Sequence, residues 1–385
     1  MHRPKVTIVT NTFPPYREAL FNHWAESVDL RVVVCESIPP GRLWDPGKER
    51  SVSVERIPSI RLGQGGKSLI IPLALRRIVK DSDAVVIGGT WRTAAVSLKA
   101  ARLARSLGKG VVWWSGDFDN YFYRERARDS KGWRLVLGAY QKFRKLFSYS
   151  VDTVLAYGQR AGEDVIKNFD IPAERVFWGT QIIYPGNLSP SDPLDQEKIE
   201  ALKVGPLGLF LGYLEERKGV YQLLDAVRLL DNPSHRVIIA GEGSMASEVA
   251  RASKELPALM FVGYADPSLR TALFQVSDYL IVPSLYDPWS QAVSEAMTAG
   301  LPPAISSEVG IGDELVVDGD TGLVYPPGDA KALSNAMNRM VSNPDLMADM
   351  GNRARERVST FNLEYAATAF QQAVEGAISL SKQRR

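Results

Sequence analysis

Short apolar runs alternate with helical patterns along the whole of this 385-residue chain, and that alternation leaves few folds open. In the first half, Val6–Asn11, Leu30–Cys35, Ala84–Ile87, Gly110–Trp114 and Thr153–Ala156 read as strands. Helices are expected between them at Glu18–Ala25, Leu69–Val79, Ala94–Leu107 and Gly158–Asn168. In the second half, strands are expected at Leu207–Tyr213, Arg236–Ala240, Leu259–Val262, Tyr279–Val282 and Pro303–Ile305. Helical patterns at Val220–Leu230, Ser244–Glu255, Leu269–Val276 and Ala330–Val341 separate them, and another amphipathic helix runs over Phe361–Leu380. Short, wholly apolar strands suit sheets buried on both faces, and alternation with helices makes those sheets parallel and doubly wound. The polar, proline-rich stretch Tyr184–Pro193 reads as the linker between two domains.

Composition narrows the function classes. A formal charge of +2 provides no global drive toward nucleic acid. The single cysteine, Cys35, excludes an intramolecular disulfide framework, suits a reducing compartment, and falls in a strand pattern where a buried thiol is expected. Three scattered histidines do not make a His-rich metal site. No signal-peptide pattern is visible and no apolar run approaches membrane-spanning length, so a cytoplasmic setting is expected. A dinucleotide fold has little support. The turn Asn11–Arg17 after the first strand contains no glycine, and Gly241-Glu-Gly243 lacks the third glycine of the fingerprint.

The segment Pro283–Pro302, PSLYDPWSQAVSEAMTAGLP, carries the most chemistry. Tyr279–Val282 reads as a buried strand ended by Pro283, and Ser290–Ala299 as a helix stopped by Gly300. Asp287 lies in the connecting loop and Glu295 more than one turn inside the helix. A strand-to-helix turn offers unpaired backbone N–H groups and the positive end of the helix dipole to an anion. Two carboxylates flanking such a turn suit a ligand that carries both phosphate and hydroxyls, as a nucleotide-sugar does.

This segment resembles the donor-site motif of the retaining glycosyltransferases of family four, which have the GT-B fold. That motif is an acidic residue, seven residues, Glu, then Ala-Met, small residues and Gly-Leu-Pro; here Asp287 and Glu295 fill its acidic positions. A second block, Phe210–Val220 (FLGYLEERKGV), resembles the family's Gly-Arg-Leu, three residues, Lys-Gly element, whose Arg and Lys grip the donor diphosphate. Gly212, Lys218 and Gly219 match it, while Tyr213 stands where Arg is expected and leaves Arg217 as a candidate substitute. Ser306–Gly322 resembles the family's glycine turn followed by Glu-Leu-Val, Asp-Gly and a closing Gly. Together the blocks cover most of residues 205–360. The first half matches in strand order and in the Pro-Tyr-Arg-x-x-Leu-Phe element Pro15–Phe21.

The resemblance implies an α/β chain of GT-B type, with two Rossmann-like doubly wound domains facing across a cleft. Residues 1–190 would form the acceptor side, with the helix of 361–385 packing back on it, and residues 200–360 the donor side. It implies a retaining, hexosyltransferase-type enzyme that moves a sugar from a UDP- or GDP-sugar to a glycan, lipid-linked or small-molecule acceptor, with no cofactor and no metal. Glu295 would bind ribose hydroxyls and Asp287 hydroxyls of the sugar ring. Lys218, with Arg217, would hold the diphosphate, and the backbone of Trp289, Ser290, Gln291 and Ala292 would face it beside Gly212 and Tyr213. Many relatives have a His in the region of Trp113–Asn120; here Asp117 and Asp119 are the polar groups, and Asp117 is the acceptor-side candidate. Arg17 in the first loop would meet the donor phosphate or an anionic acceptor.

Blander readings stand beside these. Asp287 precedes a proline and suits a turn, Lys218 suits a solvated first helical turn, Asp117 suits a loop, and Trp289 suits the core. A sugar-nucleotide epimerase of GT-B-like fold, or an inactive nucleotide-sugar-binding protein, are the alternative functions, the second because of Tyr213 and the missing His. Between Arg124 and Lys145 the chain has eight basic and two acidic residues interleaved with Trp133, Tyr140 and Phe143. Trp133, Val136, Leu137 and Tyr140 share a helical face, which predicts packing into the first domain. The alternative is a peripheral contact of region 124–147 with the inner face of a membrane that presents a lipid-linked acceptor. No nucleic-acid partner is expected.

Overall fold

A computed structural model describes residues 3–10, 13–14, 17–35, 52–57, 59–62, 69–72, 75–88, 94–119, 121–179, 192 and 203–384. The chain divides into two compact units. The first comprises residues 1–118, 126–182 and 363–385, and the second residues 119–125 and 183–362. The expected linker Tyr184–Pro193 lies outside the described residues apart from Asp192.

The first unit is built on a seven-stranded sheet in the order β3-β2-β1-β6-β7-β8-β9, every pair parallel. Its strands are β1 Lys5–Thr10, β2 Asp29–Val34, β3 Ser53–Arg56, β6 Ala84–Gly88, β7 Gly110–Ser115, β8 Thr153–Ala156 and β9 Val176–Trp178. Strands such as Ala84–Gly88 are buried along nearly their whole length because helices cover both faces of the sheet. A separate antiparallel pair, β4 Ser59–Leu62 and β5 Leu69–Pro72, interrupts the alternation. The helix expected over Leu69–Val79 therefore begins only at Leu75. Pro72 accounts for the difference: it lacks a helical N–H and pushes the residue before it toward extended backbone, and Leu69-Ile-Ile is branched and strand-forming.

The last helix, Leu363–Gln383, packs on the first sheet. Phe370 stacks on Trp24 with ring centroids 4.1 Å apart and planes 6° from parallel, and Thr153 Oγ1 donates to the Ala373 carbonyl at 2.8 Å. A Cβ at Gly110 would stand 2.8 Å from the Ala377 carbonyl carbon, so this helix reaches β7 only because the strand starts with glycine.

The second unit holds a six-stranded parallel sheet in the order β12-β11-β10-β13-β14-β15. The strands are β10 Leu207–Leu211, β11 Arg236–Ala240, β12 Leu259–Gly263, β13 Tyr279–Val282, β14 Pro303–Ser306 and β15 Leu323–Tyr325. From β10 the chain winds outward through β11 and β12, then returns to the other side of β10 with β13 and winds out again. The sheet thus reverses between β10 and β13, and in the first unit the same reversal falls between β1 and β6. At such points successive loops leave in opposite directions and open a crevice at the carboxyl ends of the strands.

One piece of the first half departs from an acceptor-side domain running unbroken over 1–190. Asp119–Glu125 clusters with the second unit. The Tyr121 N–H and the Arg124 guanidinium both donate to the Glu308 carboxylate, at 2.9 and 3.1 Å, and the Tyr123 and Tyr286 rings lie 5.8 Å apart.

At the opposite, amino end of the second sheet, His235 is fully buried and its Nε2 lies 2.7 Å from the Tyr279 hydroxyl. Burial lowers its pKa from 6.5 to about 4, with the nearby Asp278 pulling weakly the other way. The unfolded chain takes up this proton at a higher pH than the folded chain, so stability is lost as pH falls from about 6.5 through about 4. The shift corresponds to about 3 kcal/mol. In an NMR titration of the imidazole carbons, the His235 resonance should stay in its neutral form down to about pH 4. Protonation near pH 6.5 in the folded protein would contradict the burial argument.

Candidate functional site

The second unit's reversal brings two loops together. The loop after β10 runs from Gly212 to Gly219, and the loop after β13 from Pro283 to Ser290. Gly219 starts the helix Val220–Arg228 with φ 71°, and a Cβ there would stand 1.8 Å from the Pro283 carbonyl oxygen. Only glycine allows both the left-handed backbone and the close pass. The Arg217 carbonyl then accepts the Leu285 N–H at 2.8 Å, which ties one loop to the other. A third loop joins them after β14: Asp287 N–H donates to the Glu308 carbonyl at 3.2 Å, and Gly310 N–H donates to the Asp287 carbonyl at 2.8 Å. The backbone of Asp287 is thereby held on both sides.

Within this frame the Lys218 ammonium meets the Asp287 carboxylate, Nζ to Oδ2 2.5 Å. The sequence pattern assigns these residues to different parts of a ligand; the structure joins them to each other. Both side chains are largely withdrawn from solvent, 15% and 7% exposed. Burial lowers the pKa of Lys218, against the opposing pull of Asp287. Arg217 is engaged differently: its Nε donates to Glu215 at 3.0 Å and its Nη1 to the Tyr286 carbonyl at 3.4 Å. Gly212 and Tyr213 leave β10 half-buried, and the carbonyl of Gly212 would collide with any Cβ on Gly241, whose φ is 151°.

The helix Gln291–Ala299 begins just beyond Asp287, with Ser290 as its capping residue rather than its first turn and Gly300 ending it at φ 84°. Ser290 makes no side-chain cap, and its carbonyl accepts the Val293 N–H at 3.2 Å. Gln291 and Ala292 stay half-buried at the helix start. Beside them the Trp289 indole N–H and the Ser284 hydroxyl are buried without a hydrogen-bond partner among the described residues.

Glu295 is buried one turn further in, and its Oε1 accepts from Arg270 Nη1 at 3.2 Å. Burial raises the pKa of its carboxyl, and Arg270 offsets part of that rise. The sequence pattern misses Arg270. It sits in the helix Pro267–Val276, where a basic residue carries no local sign of facing a carboxylate. Glu308 is missed as well, because its role as a clasp for Tyr121 and Arg124 depends on contacts across more than 180 positions of chain.

Two candidates belong to the first unit. Asp117 follows β7, accepts from the Tyr140 hydroxyl, and offers its carbonyl to Arg144 Nη2 at 3.0 Å. Arg17 donates to the Tyr157 hydroxyl at 2.6 Å and lies 4.4 Å over the Trp114 ring. Pro15 and Tyr16 of the Pro15–Phe21 element lie outside the described residues. Among the described residues no group of three or more His, Cys, Asp or Glu is placed to hold a metal ion.

Residues 191–357, which contain the Lys218–Asp287 pair and Glu295, match the family model described as glycosyl transferases group 1. Over 174 residues the chain is 33% identical to a glycogen synthase of Mycobacterium tuberculosis, an alignment covering 43% of this chain and 42% of that one. Over 233 residues it is 30% identical to the D-rhamnosyltransferase WbpZ of Pseudomonas aeruginosa, covering 58% of this chain and 59% of that one. The chain thus spans about half the length of the curated relatives it matches. Among solved structures, Anabaena HepE, crystallised in complex with UDP, superposes with a TM-score of 0.71 at 17% identity, covering 98% of this chain and 100% of that one. That likeness shows the fold: GT-B, with two Rossmann-like parallel-sheet domains.

The Lys218–Asp287 pair lends itself to a double-mutant cycle. Removing one partner of a buried pair leaves an uncompensated charge, so Lys218→Met or Asp287→Leu alone should each cost about 3–5 kcal/mol. The double variant should cost clearly less than the sum of the two. Urea unfolding of the three variants measures this, and strictly additive losses would show that the two groups do not interact.

Proposed function

We propose that the chain is a retaining glycosyltransferase that moves a sugar from a nucleotide-diphosphate sugar to a glycan, lipid-linked or small-molecule acceptor without a metal ion. The observation that carries this reading is the convergence of Lys218, Asp287 and the start of the helix Gln291–Ala299 on one reversal of a parallel sheet. The family match over those residues and the complex of HepE with UDP support a nucleotide-sugar, a UDP- or GDP-sugar, as donor.

In this reading the donor diphosphate displaces Asp287 as the partner of Lys218. A desolvated ammonium attracts the charge that builds on the leaving diphosphate far more strongly than a solvated one, and it is already in place when the bond breaks. The half-buried N–H groups of Gln291 and Ala292 add the positive end of a helix dipole. Asp287, released from Lys218, turns its oxygens to hydroxyls of the sugar ring. Glu295 accepts from the ribose hydroxyls while Arg270 keeps its charge compensated.

No side chain in this arrangement is assigned as a nucleophile. The resemblance implies a front-face transfer: the bond from the sugar's anomeric carbon to the diphosphate breaks as the bond to the acceptor oxygen forms on the same face, and a diphosphate oxygen takes the acceptor's proton. Tyr213, in place of the family's Arg, leaves Lys218 as the principal phosphate cation. Asp117 and Arg17 are assigned to the acceptor. A cytoplasmic setting belongs to the same reading.

Release of free nucleotide from a panel of nucleotide-sugars, with and without candidate acceptors, tests the activity. Epimer formation without release would instead support an epimerase, and binding without turnover an inactive binding protein. Glu295→Gln should weaken binding of the matching nucleotide diphosphate by about 1–3 kcal/mol, since an amide accepts hydrogen bonds less strongly than a carboxylate. Unchanged affinity by calorimetry in the folded variant would remove Glu295 from the donor site. Activity should also survive excess EDTA, and its loss with rescue by magnesium or manganese would overturn the metal-free mechanism.

A further inference from the structure

The helix Lys131–Ser148 contains Lys131, Arg134, Lys142, Arg144 and Lys145 and no acidic residue. Its inner side is marked by Arg144 and Phe147, both buried, with Trp133, Leu137 and Tyr140 half-buried in the preceding turns. Val136, expected on that packed face, is 44% exposed, so the helix seats a narrower stripe than its sequence pattern suggests. The opposite side is an outer row, interrupted in its middle turn by the small residues Gly138 and Ala139. Lys131, Leu135, Lys142 and Leu146 recur at helical spacing, and Tyr149 follows the helix end. Leu135 is 76% exposed, Leu146 50% and Tyr149 63%. Lys131, Arg134 and Lys142 make no ion pair among the described residues, whereas Lys145 on the flank is held by Asp170.

We infer that this outer row docks on an anionic lipid surface. A single exposed leucine needs no explanation, but three large apolar groups in one row with Lys131 and Lys142 do. The pattern suits a fluid interface: leucines and a tyrosine enter the boundary of the acyl chains while lysines extend to the acidic headgroups. A protein partner would call for a contiguous apolar anchor, and here Lys142 separates Leu135 from the pair Leu146 and Tyr149. Nucleic acid would use the cations but leave the leucines exposed. The inference is read from this helix alone and does not depend on the proposed activity. Among the described residues no helix is long and apolar enough to cross a membrane.

Co-sedimentation of the full chain with lipid vesicles tests it without donor or turnover. The protein should bind vesicles of phosphatidylcholine mixed with phosphatidylglycerol, bind pure phosphatidylcholine much more weakly, and detach as salt is raised. Lys131→Glu/Arg134→Glu/Lys142→Glu should weaken binding at least about a hundredfold, from roughly fivefold per cation lost. Leu135→Ser/Leu146→Ser should also weaken it, at least about tenfold, at unchanged charge. All five positions are exposed, so thermal melts of both variants should match the wild type. Failure of the wild type to bind acidic vesicles would overturn the inference. So would wild-type binding by either variant, or capture of an oligonucleotide by a protein that ignores the vesicles.

Discussion

Everything at the candidate site depends on how closely the chain passes itself at Gly219 and Pro283. The contact leaves no room for a side chain, and it draws the loop after β10 against the loop after β13. Without it, the Lys218 ammonium and the Asp287 carboxylate would each face water from separate loops. With it, they are held 2.5 Å apart in a largely dry place. An ion pair in such a position adds little net stability, because desolvating two charges costs about as much as their attraction returns. Its consequence is electrostatic: a cation kept out of water and fixed in direction attracts an anion more strongly than a mobile, solvated one.

The same economy of means recurs around Glu295. A carboxylate inside a helix, among Ala292, Ala296 and Val293, is tolerated because Arg270 reaches it from the neighbouring helix. The two acidic residues of the motif are therefore not a pair. Asp287 is compensated by a lysine from the β10 loop and Glu295 by an arginine from the helix after β12. In the first unit, Arg17 and Asp117 are likewise held by tyrosines of their own unit, Tyr157 and Tyr140. Aromatic hydroxyls orient these charged groups without neutralising them.

The helix Lys131–Ser148 shows where periodicity reaches its limit. Its basic and aromatic residues are plain in the sequence, and so is an expected face of Trp133, Val136, Leu137 and Tyr140, of which Val136 stays exposed. Which leucines and lysines are left outside depends on what the rest of the unit offers to pack against, and that surface covers only part of the expected stripe. The antiparallel pair at Ser59–Leu62 and Leu69–Pro72 is a similar case. A short apolar run ahead of a helix reads as more helix until a partner strand claims its backbone hydrogen bonds.

By itself the sequence determined the layered α/β architecture, because strand–helix alternation with wholly apolar strands admits little else. It also determined the chemistry placed at the strand ends, since a strand, a proline, a loop acid and a capped helix follow one another within the twenty residues Pro283–Pro302. Only the tertiary structure decided the partners: Lys218 with Asp287, Arg270 with Glu295, and Tyr121 and Arg124 with Glu308. The reason is physical. Periodicity and capping are properties of neighbours along the chain, whereas the partner of a buried charge is set by strand order and by where glycine lets two loops touch.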